Sequence, residues 1–349
     1  MPELPEVEHV RRTLEGLIVG RVVERVRIVR RDVIATARDP AGGFARNRSE
    51  RSAKRGVAPS RVTGAELLVG TRIERIERIG KRMAIIGANG RALDVHLGMT
   101  GMVCVVAARG ALPDHSHIVW TIAAPEMFDA PHPGEDADPP PQGGREAERI
   151  DPRSFRLVFR DPRRFGGVWT CGSIDDLRER RWGELGPDAL TVTDAQLRAR
   201  MAGSHRAIKA VVLDQSVVAG VGNIYADEAL FEAGVHPESL ADGLDGEAID
   251  RLCAAIRGVL ARAVDAGGST IRDFAGPAGE AGSYQENHAV YGRAGERCVR
   301  CAETLRGIVV AQRTTTFCPR CQGIGPHRVP TGTGHARVRA GRSFRKSSL

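Results

Sequence analysis

Two groups of residues in this 349-residue chain have types and spacing that suit chemistry. The first is the opening run Met-Pro-Glu-Leu-Pro-Glu-Val-Glu. An initiator methionine ahead of a small residue is expected to be removed, which would leave Pro2 as the amino terminus. That produces a secondary amine, which no internal residue offers. Its adduct with a sugar aldehyde carbon is an iminium with no N–H to lose, so it stays cationic and serves as an electron sink. An α-amino group titrates at roughly 7.7–8.0, so a neutral fraction exists without special tuning. Glu3 is the neighbouring acid or base. The same run also suits a helix start, with Pro5 in the first turn and Glu3, Glu6 and Glu8 favouring the positive end. The two readings are compatible, because a helix N-terminus is a rigid mount for a nucleophile.

The second group is Cys298-x2-Cys301, sixteen residues, then Cys318-x2-Cys321. Each pair forms a turn that offers two thiolates to one ion, and four sulfurs at about 2.3 Å close a tetrahedral structural Zn²⁺ site. Such a site has no open position, so the metal supports a shape and does no chemistry. Residues 308–317 between the pairs suit a β-hairpin with Arg313 at its tip. Cys104, Cys171 and Cys253 are scattered, which argues against a disulfide framework and for a reducing interior.

These groups need elements to position them. Val7, Val10, Leu14 and Leu17 predict an amphipathic helix. Strands are expected at 21–30, 71–79, 83–86, 93–97, 118–122 and 155–159. The stretch 71–79 carries isoleucines three apart, a step that suits neither strand nor helix well. Residues 36–63, with seven Lys/Arg against two acids, read as a basic loop, and 123–153, with seven Pro and eight acids, as an irregular excursion. After Gly186-Pro187 helical patterns take over, near 193–201, 205–215, 223–233 and 246–266. A strand-rich first half followed by a helical second half predicts an α+β protein of two domains.

The charge of +8 and isoelectric point near 9.5 point to a polyanionic partner. Residues 293–349 hold twelve Lys/Arg and two Glu, more net charge than the whole chain carries. No apolar run reaches the ~20 residues that span a bilayer. The opening segment is acidic and lacks an apolar core, so a cytoplasmic protein is expected.

Together these pieces resemble the formamidopyrimidine-DNA glycosylase family. The motifs are Pro-Glu-Leu-Pro-Glu-Val-Glu at 2–8, His-Leu-Gly-Met at 96–99, Asp-Pro-Arg-Arg-Phe-Gly at 161–166 and Ala-Ile-Lys at 207–209. Gly-Val-Gly-Asn-Ile-Tyr-Ala at 220–226, Val-Tyr-Gly-Arg at 290–293 and the four cysteines complete the series. Any one is modest, but seven in order are specific. The resemblance implies an N-terminal helix with a two-sheet β-sandwich over 1–186, and a helix–two-turn–helix domain over 187–292. It also implies a zinc finger over 293–325, leaving 326–349 as a basic tail. It further implies a monomer acting on double-stranded DNA that carries oxidised bases.

Such enzymes extrude the damaged nucleotide into a pocket. By resemblance, Pro2 attacks the sugar C1′, Glu3 protonates the ring oxygen, Lys81 serves β-elimination, and Arg313 contacts phosphate and serves δ-elimination. Met99, Arg163 and Phe165 match void-filling residues, with Arg163 facing the orphaned cytosine. His96, His115, Lys209 and Asn223 match DNA contacts, and 275–289 matches a lesion-capping loop. Ser204 departs from the family, which often has a basic residue there, although Arg206 is close by. The implied activity is a bifunctional glycosylase and abasic-site lyase for 8-oxoguanine and formamidopyrimidines. Leu4 with Met99, Arg163 and Phe165 favours this over the branch that takes oxidised pyrimidines. A non-catalytic zinc-bearing DNA binder is the other alternative, and it would need neither Pro2 nor Lys81.

Overall fold

The computed structural model describes residues 2–37, 62–123, 154–270 and 274–323. These fall into two compact units, 1–188 with 260–287, and 189–259 with 288–349. Residues 260–287, expected from the sequence to belong to the helical domain, thus pack with the first unit.

In the first unit, helix α1 (Leu4–Ile18) buries Val7, Val10, Leu14 and Ile18. Among the described residues, nine strands follow in two sheets. The four-stranded sheet has the order β1 (Val23–Ile28), β7 (Ser116–Ala123), β8 (Ser154–Arg160), β6 (Met102–Ala107). The five-stranded sheet runs β2 (Ile34–Thr36), β9 (Gly167–Cys171), β5 (Ala92–His96), β4 (Arg82–Gly87), β3 (Ile73–Ile79). Alternation places Ile118, Trp120 and Ile122 of β7 and Phe155, Leu157 and Phe159 of β8 in one core with the apolar stripe of α1. Ile86, Ala92 and Cys171 face the other way and meet Leu177 and Trp182. The five-stranded sheet is therefore covered on both faces.

The isoleucines of β3 have a structural explanation. Residues three apart in a regular strand lie on opposite faces, yet Ile73 and Ile76 share one core. The pairing register shifts between Ile73 and Arg75, and that bulge restores the face. Thr36, at the start of the expected 36–63 loop, belongs to β2, and Val62, near its end, is buried in the core. Residues 38–61 and 124–153 and the tail 326–349 lie outside the described residues.

The second unit contains α2 (Asp194–Met201), α3 (Ile208–Val212), α4 (Asn223–Ala233) and α5 (Gly246–Asp265), the last continuing into the first unit from Leu260. Helix α3 is shorter than the expected 205–215, because Ala207 bridges to Leu240 in extended backbone just ahead of it. The hairpin β10 (Arg306–Val310) and β11 (Arg313–Phe317) completes the unit.

Candidate active site and nucleic-acid interface

Pro2 and Glu3 are buried at the head of α1, with Glu3 as the N-cap. Glu6, 2% exposed, locks this first turn, accepting the Glu3 N–H at 2.7 Å and the Ser269 N–H at 2.7 Å. A carboxylate at the third helical position satisfies donors that the helix cannot. The bond to Ser269 also ties the chain start to a loop more than 260 residues away.

Lys81 lies at the tip of the β3–β4 hairpin and is half-buried. Gly80, at the first loop position, has φ +54°, the conformation that a two-residue turn with glycine there requires. Asp188 holds the turn, accepting the Gly80 N–H at 2.7 Å and pairing with Arg78 at 2.6 Å. Arg78 also pairs with Glu8 of α1 at 2.8 Å, and Glu8 takes further bonds from Arg11 and Arg12. Burial raises the Glu8 carboxyl, but hydrogen bonds from Arg11 and Arg78 outweigh it and hold it at about 2. One chain of charges therefore links α1 to the turn that carries Lys81. Sequence reasoning assigns Glu8 only to the helix dipole and misses Asp188 altogether.

His96 ends β5, paired in register with Arg82, so it sits at the same sheet end as Lys81. Burial, with Arg82 beside it, lowers its imidazole to about 4, so it is neutral at physiological pH. Beyond it, the loops 97–101 and 161–166 interlock. Gly98 has φ +63°, and a Cβ there would collide with backbone of Phe165 and Gly166. Asp161, fully buried, accepts from Thr100 Oγ1 at 2.6 Å, Arg163 N at 3.1 Å and Gly166 N at 2.7 Å. Its own N–H donates to the carbonyl of His115, which has φ +61°. His96, Met99, His115, Arg163 and Phe165 are thus gathered around one buried carboxylate. Met99 is 39% exposed, and the Arg163 guanidinium stacks 4.8 Å from the Phe165 ring. Asp161 lies in a motif that points to the family without revealing this residue's role. An Asp-Pro opening a turn is the available signal.

In the second unit, two residues depart from expectation. Lys209 is 0% exposed, paired with Asp227 at 2.6 Å and donating to Thr315 Oγ1 at 2.7 Å and the Thr314 carbonyl at 3.3 Å. A fully buried ammonium cannot reach a phosphate, so the expected DNA contact gives way to an internal one. Arg313 is not at the hairpin tip. Ala311 and Gln312 form the turn, and Arg313 opens the returning strand opposite Val310. Its side chain is exposed, and its guanidinium bonds no group among the described residues. Asn223, the first residue of α4, donates to the Thr314 carbonyl at 3.0 Å. Near the Ser204 departure, Arg206 is paired with Asp214 at 2.9 Å.

The four cysteine sulfurs lie within 4.8 Å of one another. Cys298 and Cys321 are 3.9 Å apart and Cys301 and Cys318 3.5 Å. Zn–S bonds of about 2.3 Å in a tetrahedron separate sulfurs by about 3.8 Å, so this donor set fits one structural Zn²⁺.

Comparison with known proteins agrees with this layout. The family profile of the formamidopyrimidine-DNA glycosylase N-terminal domain matches residues 1–168, that of the glycosylase H2TH domain 185–275, and that of the zinc finger found in FPG and IleRS 295–323. A formamidopyrimidine-DNA glycosylase of Geobacillus kaustophilus is 36% identical, covering 92% of this chain and 100% of that protein. The crystal structure of MutM (FPG) from Thermus thermophilus matches with TM-score 0.67 and 35% identity, over 93% of this chain and 100% of that one. A Lactococcus lactis FPG variant in complex with DNA containing Fapy-dG matches with TM-score 0.69 and 29% identity, over 92% and 100%. No helix among the described residues is long and apolar enough to cross a membrane. The fold, the zinc-binding cysteines and these relatives together place the chain in the formamidopyrimidine-DNA glycosylase family.

Proposed function

We propose that the protein is a bifunctional DNA glycosylase and abasic-site lyase of base excision repair, acting on 8-oxoguanine and formamidopyrimidines in duplex DNA. The observation that carries this reading is the head of α1: Pro2 beside a buried Glu3, in a turn locked by two backbone bonds to Glu6. Glu3 and Glu6 cap this helix reciprocally, and a capped helix start has no need of a proline amine beside that pair. Relatives of this fold have been captured with Fapy-dG and abasic-site DNA, which supports the substrate class.

The Pro2 nitrogen adds to C1′ of the extruded nucleotide and the base leaves. Glu3 protonates the ring oxygen as the sugar opens, giving the iminium. The iminium acidifies the C2′–H, and its loss expels the 3′ phosphate. Lys81, on its clamped turn, serves this β-elimination. A second elimination expels the 5′ phosphate, with Arg313 holding that phosphate. Met99 and the stacked Arg163–Phe165 pair fill the vacated stack, with Arg163 facing cytosine. Neutral His96, together with His115 and Asn223, contacts the backbone.

Borohydride trapping on an 8-oxoguanine:cytosine duplex tests the proposal. The expected result is a covalent adduct that disappears with Pro2→Gly. Methionine-processed protein that gives no adduct would sink it. A stronger adduct on thymine glycol would instead move the protein to the oxidised-pyrimidine branch.

A further inference from the structure

Helix α4 is bonded to the zinc-bearing segment along its whole length. At its start, Asn223 Nδ2 donates to the Thr314 carbonyl. One turn on, Asp227 accepts the Thr316 N–H at 3.0 Å on one oxygen and pairs with Lys209 through the other. Its neighbour Glu228 accepts three backbone N–H groups, from Ala289 at 2.8 Å, Val290 at 3.0 Å and Tyr291 at 2.8 Å. At the helix end, Arg300 donates to the Phe231 carbonyl and lies 4.3 Å from that ring. Gln322 joins Cys318 N to the Val235 carbonyl.

Asp227 and Glu228 are 2% and 4% exposed. Adjacent buried carboxylates on one helix are costly, and each persists because several donors meet it. Burial pushes Asp227 up to about 6 against the opposing pull of Lys209. The placement of their partners is uneven. Glu228 fixes the chain where it enters the zinc-bearing segment. Asp227, Lys209 and Asn223 all act on residues 314–316, immediately after Arg313. The opposite strand β10 is exposed at Arg306, Gly307 and Val309.

We propose that Asp227 and Glu228 are positioning residues for Arg313, fixing the backbone that carries its guanidinium so that zinc alone does not set where it points. The inference rests on the proposed role of Arg313 in δ-elimination. It assigns to two buried carboxylates of the helical body control over the second of two cuts.

The test is product analysis on an abasic-site duplex with the full-length, zinc-loaded protein. Asp227→Asn turns an amide donor toward either Lys209 or the Thr316 N–H. Glu228→Gln does the same to Ala289. Displacement of a catalytic group by about 1 Å costs on the order of a hundredfold. Each variant should therefore lower the ratio of δ- to β-elimination product at least tenfold, as Arg313→Ala should, while zinc stays at one per chain. An unchanged ratio with zinc retained overturns the inference. Where Asp227→Asn loses zinc, the paired apolar replacement Lys209→Met with Asp227→Leu keeps the packing and decides the matter. A normal ratio in that protein also overturns it. Absence of any cleavage or borohydride adduct in the unaltered protein would refute the proposed function, a result separate from a change in ratio.

Discussion

Two β-hairpins in this chain each present one basic residue, and they are held in different ways. The β3–β4 hairpin carries Lys81 and belongs to a five-stranded sheet with apolar cores on both faces. The β10–β11 hairpin, whose returning strand opens with Arg313, is a sheet of two strands, which is marginal by itself in water. The first needs only a clamp on its turn, which Asp188 supplies. The second needs its shape imposed from outside, by four cysteines at one end and by α4 along its returning strand. Where a sheet is large, a charge tunes a position; where it is small, metal and buried charge create it.

The largest effect should follow loss of the metal. Cys318→Ser, or chelation of the native protein, removes a support that in small zinc modules amounts to the folding energy itself. DNA affinity should fall on the order of a hundredfold or more. The sheets of the first unit should keep their thermal transition, since their cores contain none of these residues. Affinity measured by fluorescence anisotropy, alongside a melting curve, checks this. Binding that survives chelation would erase the contrast between the hairpins.

Asp188→Ala is the counterpart at the other hairpin. It frees the Gly80 N–H and leaves Arg78, 8% exposed, with Glu8 as its remaining carboxylate. Breaking a buried pair from one side costs about 3–5 kcal/mol, and the partial exposure of Asp188 puts this case at or below the lower figure. Urea unfolding should show that loss, and single-turnover assays should show slower β-elimination. Asp188→Asn, which keeps an acceptor for Gly80, should recover part of both. Equal stability in the alanine variant would mean that the sheet alone holds Lys81.

How much of this is legible in the sequence follows from range. The zinc ligands and α1 are readable because their logic is local: a Cys-x2-Cys turn, or apolar residues at helical spacing. β9 is not, because all five of its residues are buried and the strand shows no alternation. β6, Met-Val-Cys-Val-Val-Ala, is apolar throughout and equally silent in period. The charges are harder still. Lys209 and a surface lysine look the same in sequence, and only the arrival of Asp227 and Thr315, the latter 106 residues away, makes it a buried brace. Asp161 and Asp188 are likewise defined by what the fold brings to them.

Acidification should separate the hairpins in a second way. Glu8 supports the Lys81 side of the molecule, and its folded carboxyl is held at about 2 against an ordinary 4.5. Its stabilisation is therefore fully present above pH 4.5 and is lost as pH falls toward 2. The shift corresponds to at most about 3 kcal/mol, at 1.36 kcal/mol per pH unit. The share from Arg12, which is half exposed, is screened by water and lowers that figure. Glu8→Gln should lower stability at pH 7 and flatten the decline between pH 4.5 and 2, measured by urea midpoints across that range. A variant with the same slope as the parent would place the acid sensitivity elsewhere.

The smallest effect concerns the turns themselves. At the Lys81 hairpin, Gly80 adopts positive φ without a steric penalty. At the zinc-supported hairpin, Ala311 and Gln312 sit at φ +51° and +59°, where a side chain is disfavoured. Consecutive positive φ values define the turn for which Asn-Gly is the preferred pair. Ala311→Asn with Gln312→Gly should therefore relieve about 1–2 kcal/mol of strain. The gain should appear as slower amide exchange in β10 and β11 and a higher chelator concentration for metal loss. The turn keeps its geometry and α4 still holds 314–316, so the ratio of δ- to β-elimination product should stay constant. A changed ratio in the relaxed turn would show that strain at the tip, rather than the buried carboxylates of α4, sets the position of Arg313.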